Sequence, residues 1–568
     1  MDSSVYTKLQ AHPLQIRLVL LLPGLDREKL SCRLVTVSLN EVPRYWALSY
    51  TWGDPNVTEC ISLNGHDFTS TTNLRAALWH QRLATRIQTI WIDAICINQN
   101  DMSERNQQVQ IMPDIYSSAD IVVIWLGESS ENSGVAMHIL EDCSDSFVDH
   151  KIFKPSRQSP EAEAALWQPV TDLFQRPYWS RGWIVQEIVL AKRAVIFCGR
   201  RYLQWNTLAH SLHNLMNSNR YNYEPFKSGV YEQVIAIRLQ RESFKIPECR
   251  RQFADYLDMQ RFREVSDPRD FVYSISGLTK DILPGAIVPN YSNSVQQVYQ
   301  NAALTAIRNT KELDILGYVW PHLHTSGFPS WVRDWRKFGH VRPFARSITG
   351  KSIYQASRGL QVIWKVPENP DILQLEGFHF DNVAELFEFG GDDVFGRVLG
   401  SWKEAARITE EPNRPYIGGS GDFFDAFWRT IVTNLAIELD REKHTEHAFV
   451  KAPEKEREIA KMIFGLKEYP VGVNRGKLVN PLGIRIRFRS TNRRMVVSRK
   501  GYLGLVPFET ERDDLVCVLL GGEMPFILRP KGNYYTLVGE CYVHGIMDGE
   551  VLEAAHDGSI QLQEFSLQ

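Results

Sequence analysis

Four short apolar runs lie within the first 200 residues, and each has the length of one β-strand. Continuous runs of Val, Ile and Trp are typical of strands that are buried on both faces of a sheet. The runs cover Arg44–Gly53, Thr89–Asp93, Asp120–Gly127 and Arg193–Gly199. Because helical patterns lie between them, their order predicts an α/β fold with a parallel sheet and flanking helices.

Two helix starts can be placed from local signals. Asp101 is a good N-cap, and Glu104 three residues later completes a capping-box pattern. Pro113 should kink or shorten the helix that follows. Farther along, Asp267 is expected as an N-cap with Pro268 at the first helical position.

The pattern changes in the second half of the chain. Residues 206–320 favour helices, residues of about 370–480 are mixed, and the sequence GIRIRFRS alternates apolar and basic residues as a half-exposed strand does. Several short strands with Gly turns follow it. We therefore expect an α/β domain over 1–225, a mainly helical region over 226–410, and a mixed region over 411–568 that ends in a small β-rich module at about 484–555.

Composition restricts the classes of protein. The chain has 568 residues, 43% of them hydrophobic, which is typical of a soluble multidomain protein. A net charge of −3 disfavours a nucleic-acid partner, and the basic run Arg485–Lys500 is interpreted as a solvated strand face. Eight scattered cysteines without a C-x-x-C pair predict reduced thiols. The apolar run before Gly24 is too short for a membrane span, so we expect a cytoplasmic protein.

Several catalytic or ligand-binding motifs are incomplete. The sequence VGVNRGKLVN is one residue too short for a phosphate loop, and Leu478 stands in place of Ser or Thr. His322 and His324 lack carboxylates or cysteines at ligand spacing. Cys96 is interpreted as a small buried hydrophobe, because no sequence feature identifies a base for it. We therefore expect neither a metal nor a prosthetic group.

The first candidate site is a group of polar residues at the ends of two predicted strands. Ser49, Trp52, Gly53 and Asp54 stand at the end of one strand, and Asp93 ends the next. Ligands of open parallel sheets bind outside the carboxyl ends of the strands. The alternative is structural: Asp54 caps a turn, and Asp93 pairs with a nearby backbone amide.

The second candidate site lies in the sequence YWSRGWIVQEIVLAK, from Tyr178 to Lys192. Glu187 stands there among apolar residues that are available for burial. Trp183 precedes it by one helical turn, so both side chains can face one pocket. Three interpretations of Glu187 are open. It can be a solvated helix residue, a structural partner of Arg181 or Lys192, or a catalytic carboxylate.

Three segments closely resemble the sequence blocks of the fungal heterokaryon-incompatibility (HET) domain, in the expected order. They are YWALSYTWGD, IWIDAICINQNDMSERNQQVQIMPDIYSSADIVVIWLGE and RPYWSRGWIVQEIVLAK. DPRDFVYSISGL, FPSWVRDW and GYLGLVP are also similar to segments that accompany this domain. The resemblance implies non-self recognition between fungal cells, ending in programmed cell death of incompatible fusions.

A more distant similarity links the chain to Toll/interleukin-receptor (TIR) domains. LSYTWGD is similar to their first-strand motif and SADIVVIWLGE to their third core strand, which implies a TIR-like or flavodoxin-like sheet. SRGWIVQEI, with Ser180, Trp183 and Glu187, is similar to the plant TIR pattern S-x-x-W-x-x-x-E. In TIR enzymes that Glu cleaves the nicotinamide–ribose bond of NAD. The similarity implies Glu187 as the catalytic carboxylate and NAD or a related nucleotide as the substrate.

The implied chemistry is physically consistent. A breaking N-glycosidic bond develops positive charge on the ribose, which a carboxylate stabilises. Trp52 or Trp183 would stack on a ring of the nucleotide, while Arg181 would hold a phosphate and keep the pKa of Glu187 low. The residues expected to bind NAD are Ser49, Tyr50, Trp52, Gly53, Asp54, Asp93, Ser180, Arg181 and Trp183.

The alternative function is a non-catalytic signalling or scaffold domain that acts by self-association. Self-association is expected under both hypotheses, and an allelic or non-allelic incompatibility protein is the expected partner. The two hypotheses differ at Glu187. An enzyme needs a cleft that holds Glu187 with Ser49, Trp52 and Asp93 nearby, whereas a scaffold predicts Glu187 in a salt bridge without a cavity beside it.

Overall fold

The computed structural model describes residues 5–10, 14–25, 29–144, 160–217, 229–247, 251–279, 281–337, 339, 343–344, 353–390, 399–408, 410–417, 421–439, 447–470 and 475–568. The chain divides into two compact units. The first comprises Met1–Arg250, Met259–Lys280 and Pro284–Ser294, and the second comprises Arg251–Asp258, Asp281–Leu283 and Val295–Gln568. Each unit contains its own nine-stranded sheet.

The described residues form strands and helices in both units. The strands are β1 (Gln15–Leu21), β2 (Ser31–Ser38), β3 (Trp46–Tyr50), β4 (Thr58–Leu63), β5 (His66–Thr71), β6 (Gln88–Trp91), β7 (Ile121–Trp125), β8 (Ala194–Cys198), β9 (Arg201–Gln204), β10 (Trp364–Lys365), β11 (Leu373–Gly390), β12 (Leu435–Leu439), β13 (His447–Lys451), β14 (Arg493–Ser498), β15 (Leu503–Pro507), β16 (Leu515–Leu519), β17 (Phe526–Lys531), β18 (Tyr534–Glu540), β19 (Tyr542–Val543) and β20 (Leu562–Leu567). The helices are α1 (Thr72–Gln81), α2 (Asp93–Cys96), α3 (Met102–Gln110), α4 (Met112–Ser118), α5 (Ser133–Ser144), α6 (Pro160–Phe174), α7 (Ile184–Val189), α8 (Trp205–Asn217), α9 (Gly229–Phe244), α10 (Phe253–Gln260), α11 (Asp270–Tyr273), α12 (Val295–Thr310), α13 (Leu399–Ala405), α14 (Phe423–Ile431), α15 (Lys455–Ile463), α16 (Arg475–Ser490) and α17 (Glu550–His556).

The sheet of the first unit is parallel at its centre and antiparallel at its edges. Its strand order is β5-β4-β2-β1-β6-β3-β7-β8-β9. The adjacent strands β6, β3, β7 and β8 run parallel, and they are the four apolar runs of the sequence. In β7, four of the five residues are buried, as expected for a strand covered on both faces. The predicted α/β class is therefore confirmed.

The helical segment between β6 and β7 is divided in two. Asp101 is the N-cap of α3, since its side chain accepts hydrogen bonds from the N–H groups of Ser103 and Glu104. Helix α3 ends at Gln110, and Pro113 lies in the first turn of α4. This is the effect expected of a proline, which cannot donate a helical hydrogen bond. The capping box stays incomplete, because the Glu104 carboxylate binds Arg17 instead.

A buried ion pair joins β1 to α3. Arg17 Nη1 donates to Glu104 Oε1 at 2.5 Å, and Nη2 donates to Oε2 at 2.9 Å. The two side chains are only 1% and 7% exposed. The Cys96 carbonyl accepts a further bond from Arg17, and the Asn98 N–H donates to Glu104. These additional partners help to compensate for removing both charges from water.

The sheet of the second unit closes on itself around one long strand. Strand β11 has 18 residues and pairs antiparallel with β14, β16 and β20. From β16 the pairing of neighbouring strands also runs through β17 and β18 to β20, which pairs with β11 again. The expected β-rich C-terminal part is confirmed. Strand β11 itself lies in the stretch whose pattern is mixed, and the sequence did not predict it.

The predicted strand over GIRIRFRS was wrong, because residues 483–490 belong to α16. Arg485 and Arg489 are buried, whereas Ile484 and Phe488 are 66% and 45% exposed. Arg485 donates to the Leu435 carbonyl at 2.7 Å. Ile486 is buried and Arg487 is exposed, so burial along this segment follows the period of a helix although apolar and basic residues alternate in the sequence. The interpretation of these basic residues as a solvated strand face fails for the same reason.

The cysteines and the helices of the described residues agree with two further expectations. Seven described cysteines are free thiols. Burial raises the pKa of Cys96 to about 12, which disfavours the nucleophilic thiolate. Among the described residues, no helix combines the length and the apolar content that crossing a bilayer requires.

Replacing Glu104 with Gln should lower the free energy of unfolding by about 3–5 kcal/mol, because it leaves the buried Arg17 without its counter-charge. Urea denaturation measures the change. Glu141→Gln, at an exposed position of α5, is the matched control and should unfold like the wild type. Equal unfolding free energies for the two variants would show that the pair contributes little.

Candidate functional site

A cavity of about 560 Å³ opens in the first unit at the carboxyl ends of two central strands. Trp52 and Gly53 reach it just after β3, and Asp93 reaches it just after β6. Helix α7 supplies Glu187. Because β3 and β6 are adjacent and parallel, their ends lie side by side at one edge of the sheet.

Glu187 is a buried carboxylate that lines this cavity. Its residue is only 2% exposed, and Ser49 on β3 donates a hydrogen bond to its Oε2 atom. The Ser49 hydroxyl is also 2.5 Å from the Tyr178 hydroxyl. Burial raises the pKa of Glu187, while Arg181 and Ser49 act in the opposite direction. Glu187 is therefore not a solvated helix residue.

Arg181 provides the counter-charge for Glu187. Its Nη1 atom lies 3.8 Å from Glu187 Oε2, which is an ion pair but too long for a hydrogen bond. Within the described part of the chain, this buried Nη1 has no hydrogen-bond partner. Burial lowers the pKa of Arg181, but Glu187 and Asp93 outweigh it and the net pKa is raised. The site thus holds a permanent cation whose Nη1 atom has no hydrogen-bond acceptor among the described residues.

Asp93 and Trp52 form a second polar contact at the same cavity. Trp52 Nε1 donates to Asp93 Oδ2 at 2.8 Å, and the Ala94 N–H donates to Asp93 Oδ1 at 2.7 Å. Burial raises the pKa of Asp93, while Arg181 and these donors oppose the shift. The expected amide pairing of Asp93 therefore exists, and Asp93 also lines the cavity.

The remaining predicted residues have different positions. Tyr50 is buried on β3, where burial and the nearby Asp93 charge raise the pKa of its hydroxyl. Gly53 has φ +81°, a left-handed conformation that favours glycine. Asp54 is not among the lining residues: its carboxylate accepts the Asn56 N–H at 2.9 Å, as the turn-capping alternative predicts. Ser180 is also outside the lining and donates to Glu264 at 3.0 Å.

A further wall of the cavity joins Trp183 to Asp270, Tyr291 and Arg105, three residues that the sequence pattern did not indicate. Trp183 Nε1 donates to Asp270 Oδ2 at 3.0 Å, and Tyr291 OH donates to Asp270 Oδ1 at 2.5 Å. The Arg105 guanidinium lies 3.9 Å from the centre of the Tyr291 ring. Burial raises the pKa of Asp270 to about 6, and its two hydrogen bonds oppose that shift. Asp270 therefore fixes Trp183, one turn before Glu187.

The signal that could have located this wall is the sequence EVSDPRD, which carries three carboxylates. Only its local capping role was predicted. Asp267 does accept the Arg269 N–H at 3.0 Å, but the regular helix α11 begins at Asp270 rather than at Pro268. Glu264, Asp267 and Asp270 all line the cavity. Nothing in the local pattern indicates that the fold brings them to the strand ends.

Comparisons with known proteins identify the class of protein. Residues 45–187 match the family model described as "Heterokaryon incompatibility protein (HET)", and residues 483–562 match "Het-6 beta-barrel domain". The chain thus carries a HET domain and a Het-6 barrel, and the family resemblance seen in the sequence is confirmed. This family supports a role in non-self recognition.

A curated relative covers almost the whole chain. It is "Heterokaryon incompatibility protein 6, OR allele" of Neurospora crassa, which is 26% identical over an alignment that covers 93% of each chain. No solved structure gives a significant match.

Replacing Asp270 with Asn should stabilise the protein at pH 8 by up to about 3 kcal/mol, since about two pKa units separate the folded carboxyl from its ordinary value. The folded state holds the proton more tightly than the unfolded state. The contribution of Asp270 to the free energy of unfolding is therefore complete below about pH 4, and it is lost as the pH rises through about 6. The advantage of the variant should vanish towards pH 4.

Urea denaturation of both proteins across this range of pH tests the expectation. Asp114→Asn, at an exposed carboxylate on α4, is the matched control. A stability difference between Asp270→Asn and the wild type that does not depend on pH would contradict the assignment.

Proposed function

We propose that this cavity binds NAD and that Glu187 promotes cleavage of its nicotinamide–ribose bond. The observation that carries the proposal is a buried carboxylate that lines an open cavity beside Arg181. A carboxylate with only a structural role needs no cavity. Charged groups with shifted pKa values in a cleft are typical of functional sites.

The size and the lining of the cavity suit a nucleotide. A volume of about 560 Å³ is within the range of sites for small molecules and cofactors. Trp52 and Trp183 offer aromatic faces on which a nicotinamide or adenine ring can stack. The Arg181 guanidinium lines the cavity and suits a phosphate group. These features support a dinucleotide better than an apolar ligand.

The proposed reaction is a hydrolysis. The bond between ribose C1′ and the pyridinium nitrogen breaks, and its electron pair leaves with neutral nicotinamide. The ribose gains oxocarbenium character, which the Glu187 carboxylate stabilises. Water then forms the new bond to C1′ and loses one proton, giving ADP-ribose. The raised pKa of Glu187 makes it a better acceptor for that proton than an ordinary carboxylate.

The neighbours of Glu187 have supporting roles in this scheme. Ser49 holds one carboxylate oxygen, so the side chain has a fixed direction. Arg181 favours the ionised form of Glu187, which is the form that the reaction needs. The Asp270 bond fixes the Trp183 ring in the cavity wall.

The reaction would give the non-self recognition role a means of killing a cell, by consuming its NAD. We propose further that the protein self-associates and responds to an allelic or non-allelic incompatibility partner. The competing function is a scaffold without catalysis. The hydrogen bond from Ser49 to Glu187 and the ion pair of Glu187 with Arg181 favour the scaffold, because a purely structural carboxylate would show the same contacts.

In purified full-length protein, NAD should be converted to nicotinamide, and Glu187→Gln should lower the rate by about 100-fold or more. Gln still accepts the Ser49 hydrogen bond and Asp93 remains as a counter-charge for Arg181, so the variant should fold. Chromatography of released nicotinamide measures the rate. Glu141→Gln, an exposed Glu-to-Gln change on α5, should retain the wild-type rate.

The assay is run over a range of protein concentrations and with a crowding agent, so that a requirement for self-association becomes visible. Equal rates for wild type and Glu187→Gln would remove Glu187 from catalysis. No NAD loss under any condition, with cell killing retained by Glu187→Gln, would favour the scaffold.

A further inference from the structure

We propose that the cavity discriminates by charge and accepts NAD in preference to NADP, an inference that rests on the proposed function. The segment Glu264–Asp270, called the acidic segment below, carries this selectivity. It contributes three lining carboxylates, and no residue of it was linked to a ligand by the sequence pattern.

The charged groups that line the cavity are unequal in number. The carboxylates are Asp93, Glu187, Glu264, Asp267 and Asp270, and the cations are Arg105 and Arg181. One carboxylate is neutralised from outside the lining, since Arg269 lies 2.7 Å from Asp267. The four other carboxylates still outnumber the two arginines. At slightly alkaline pH the cavity therefore has excess negative charge.

The two arginines differ in what they can offer a ligand. Arg105 lies over the Tyr291 ring, so part of its charge already faces an aromatic group. Arg181 has the buried Nη1 donor without a hydrogen-bond partner among the described residues. Arg181 is therefore the cation of the lining that we assign to the pyrophosphate of a dinucleotide.

The carboxylates favour the opposite end of the same ligand. The pyridinium ring of NAD is a cation, and Glu187 and Asp93 attract it. NADP carries an additional phosphate of almost two negative charges. The acidic segment would repel that phosphate, and the lining that the structure describes has only Arg105 besides Arg181 to compensate. NAD should consequently be preferred by about tenfold or more.

Glu264 is the residue at which this idea can be tested without changing the catalytic carboxylate. It is exposed, and its carboxylate accepts the Ser180 hydroxyl. Glu264→Gln keeps an acceptor for that bond and removes one negative charge. The variant should gain activity with NADP relative to NAD, by a factor of about three or more.

The experiment compares kcat/KM for NAD, NADP and nicotinamide mononucleotide in wild type, Glu264→Gln and Glu141→Gln. Glu141→Gln makes the same change in net charge away from the cavity lining and should keep the wild-type preference. Added salt should reduce the preference, because ions screen repulsion at an exposed site. Equal kcat/KM values for NAD and NADP in the wild type would overturn the inference while leaving the proposed reaction intact.

Failure of the reaction has a separate signature. If no dinucleotide is cleaved, the affinities of the wild type for NAD and NADP are measured by isothermal titration calorimetry. Tighter binding of NAD, with weaker discrimination in Glu264→Gln, would support charge selection although catalysis fails. Equal affinities, or no binding of either dinucleotide, would overturn the inference.

Discussion

Removing a carboxylate from water is costly, and the compensation of Glu187 is the constraint around which the site is built. The compensating groups come from separated parts of the chain. Ser49 comes from the central strand β3, and Arg181 follows the short 3-10 helix Pro177–Ser180. For both to meet Glu187, β3 must hold its register in the sheet and α7 must pack against the strand ends. The parallel core and the site therefore depend on each other.

The sequence could predict the sheet because the physical signal is local. A strand covered on both faces must be apolar throughout, so β3, β6, β7 and β8 are visible as runs. The positions of Trp52, Gly53 and Asp93 then follow from the rule about strand ends. Glu187 was identifiable by its apolar neighbours and by family resemblance. The wall formed by Asp270 and Tyr291 was not, because it depends on a tertiary approach of residues distant in sequence.

The errors in the second unit have a related origin. Arg485 and Arg489 are charged but buried, and their compensation comes from partners such as the Leu435 carbonyl. A pattern of polar and apolar letters assigns such residues to the solvent face. Strand β11 was missed for another reason, since its 18 residues pair with four different strands and no single alternation describes their environment.

Only some of the residues that line the cavity lie within the segment that matches the HET family model. The matched segment ends at Glu187, so it includes Trp52, Asp93, Arg181 and Trp183 but not Asp270 or Tyr291. The segment that defines the family therefore supplies the carboxylate and its counter-charge. The residues that close the other side, Asp270 and Tyr291, lie farther along the chain and outside the matched segment.

The contact of Ser49 with Tyr178 has a consequence for the direction of hydrogen bonding. A hydroxyl has one proton to donate, and Ser49 donates it to the Glu187 carboxylate. Tyr178 must then be the donor in the contact between the two hydroxyls. If Glu187 takes up a proton and becomes a donor itself, both bonds of this two-hydroxyl chain can reverse. The direction in which the buried Tyr178 hydroxyl donates its proton would then depend on whether Glu187 is charged.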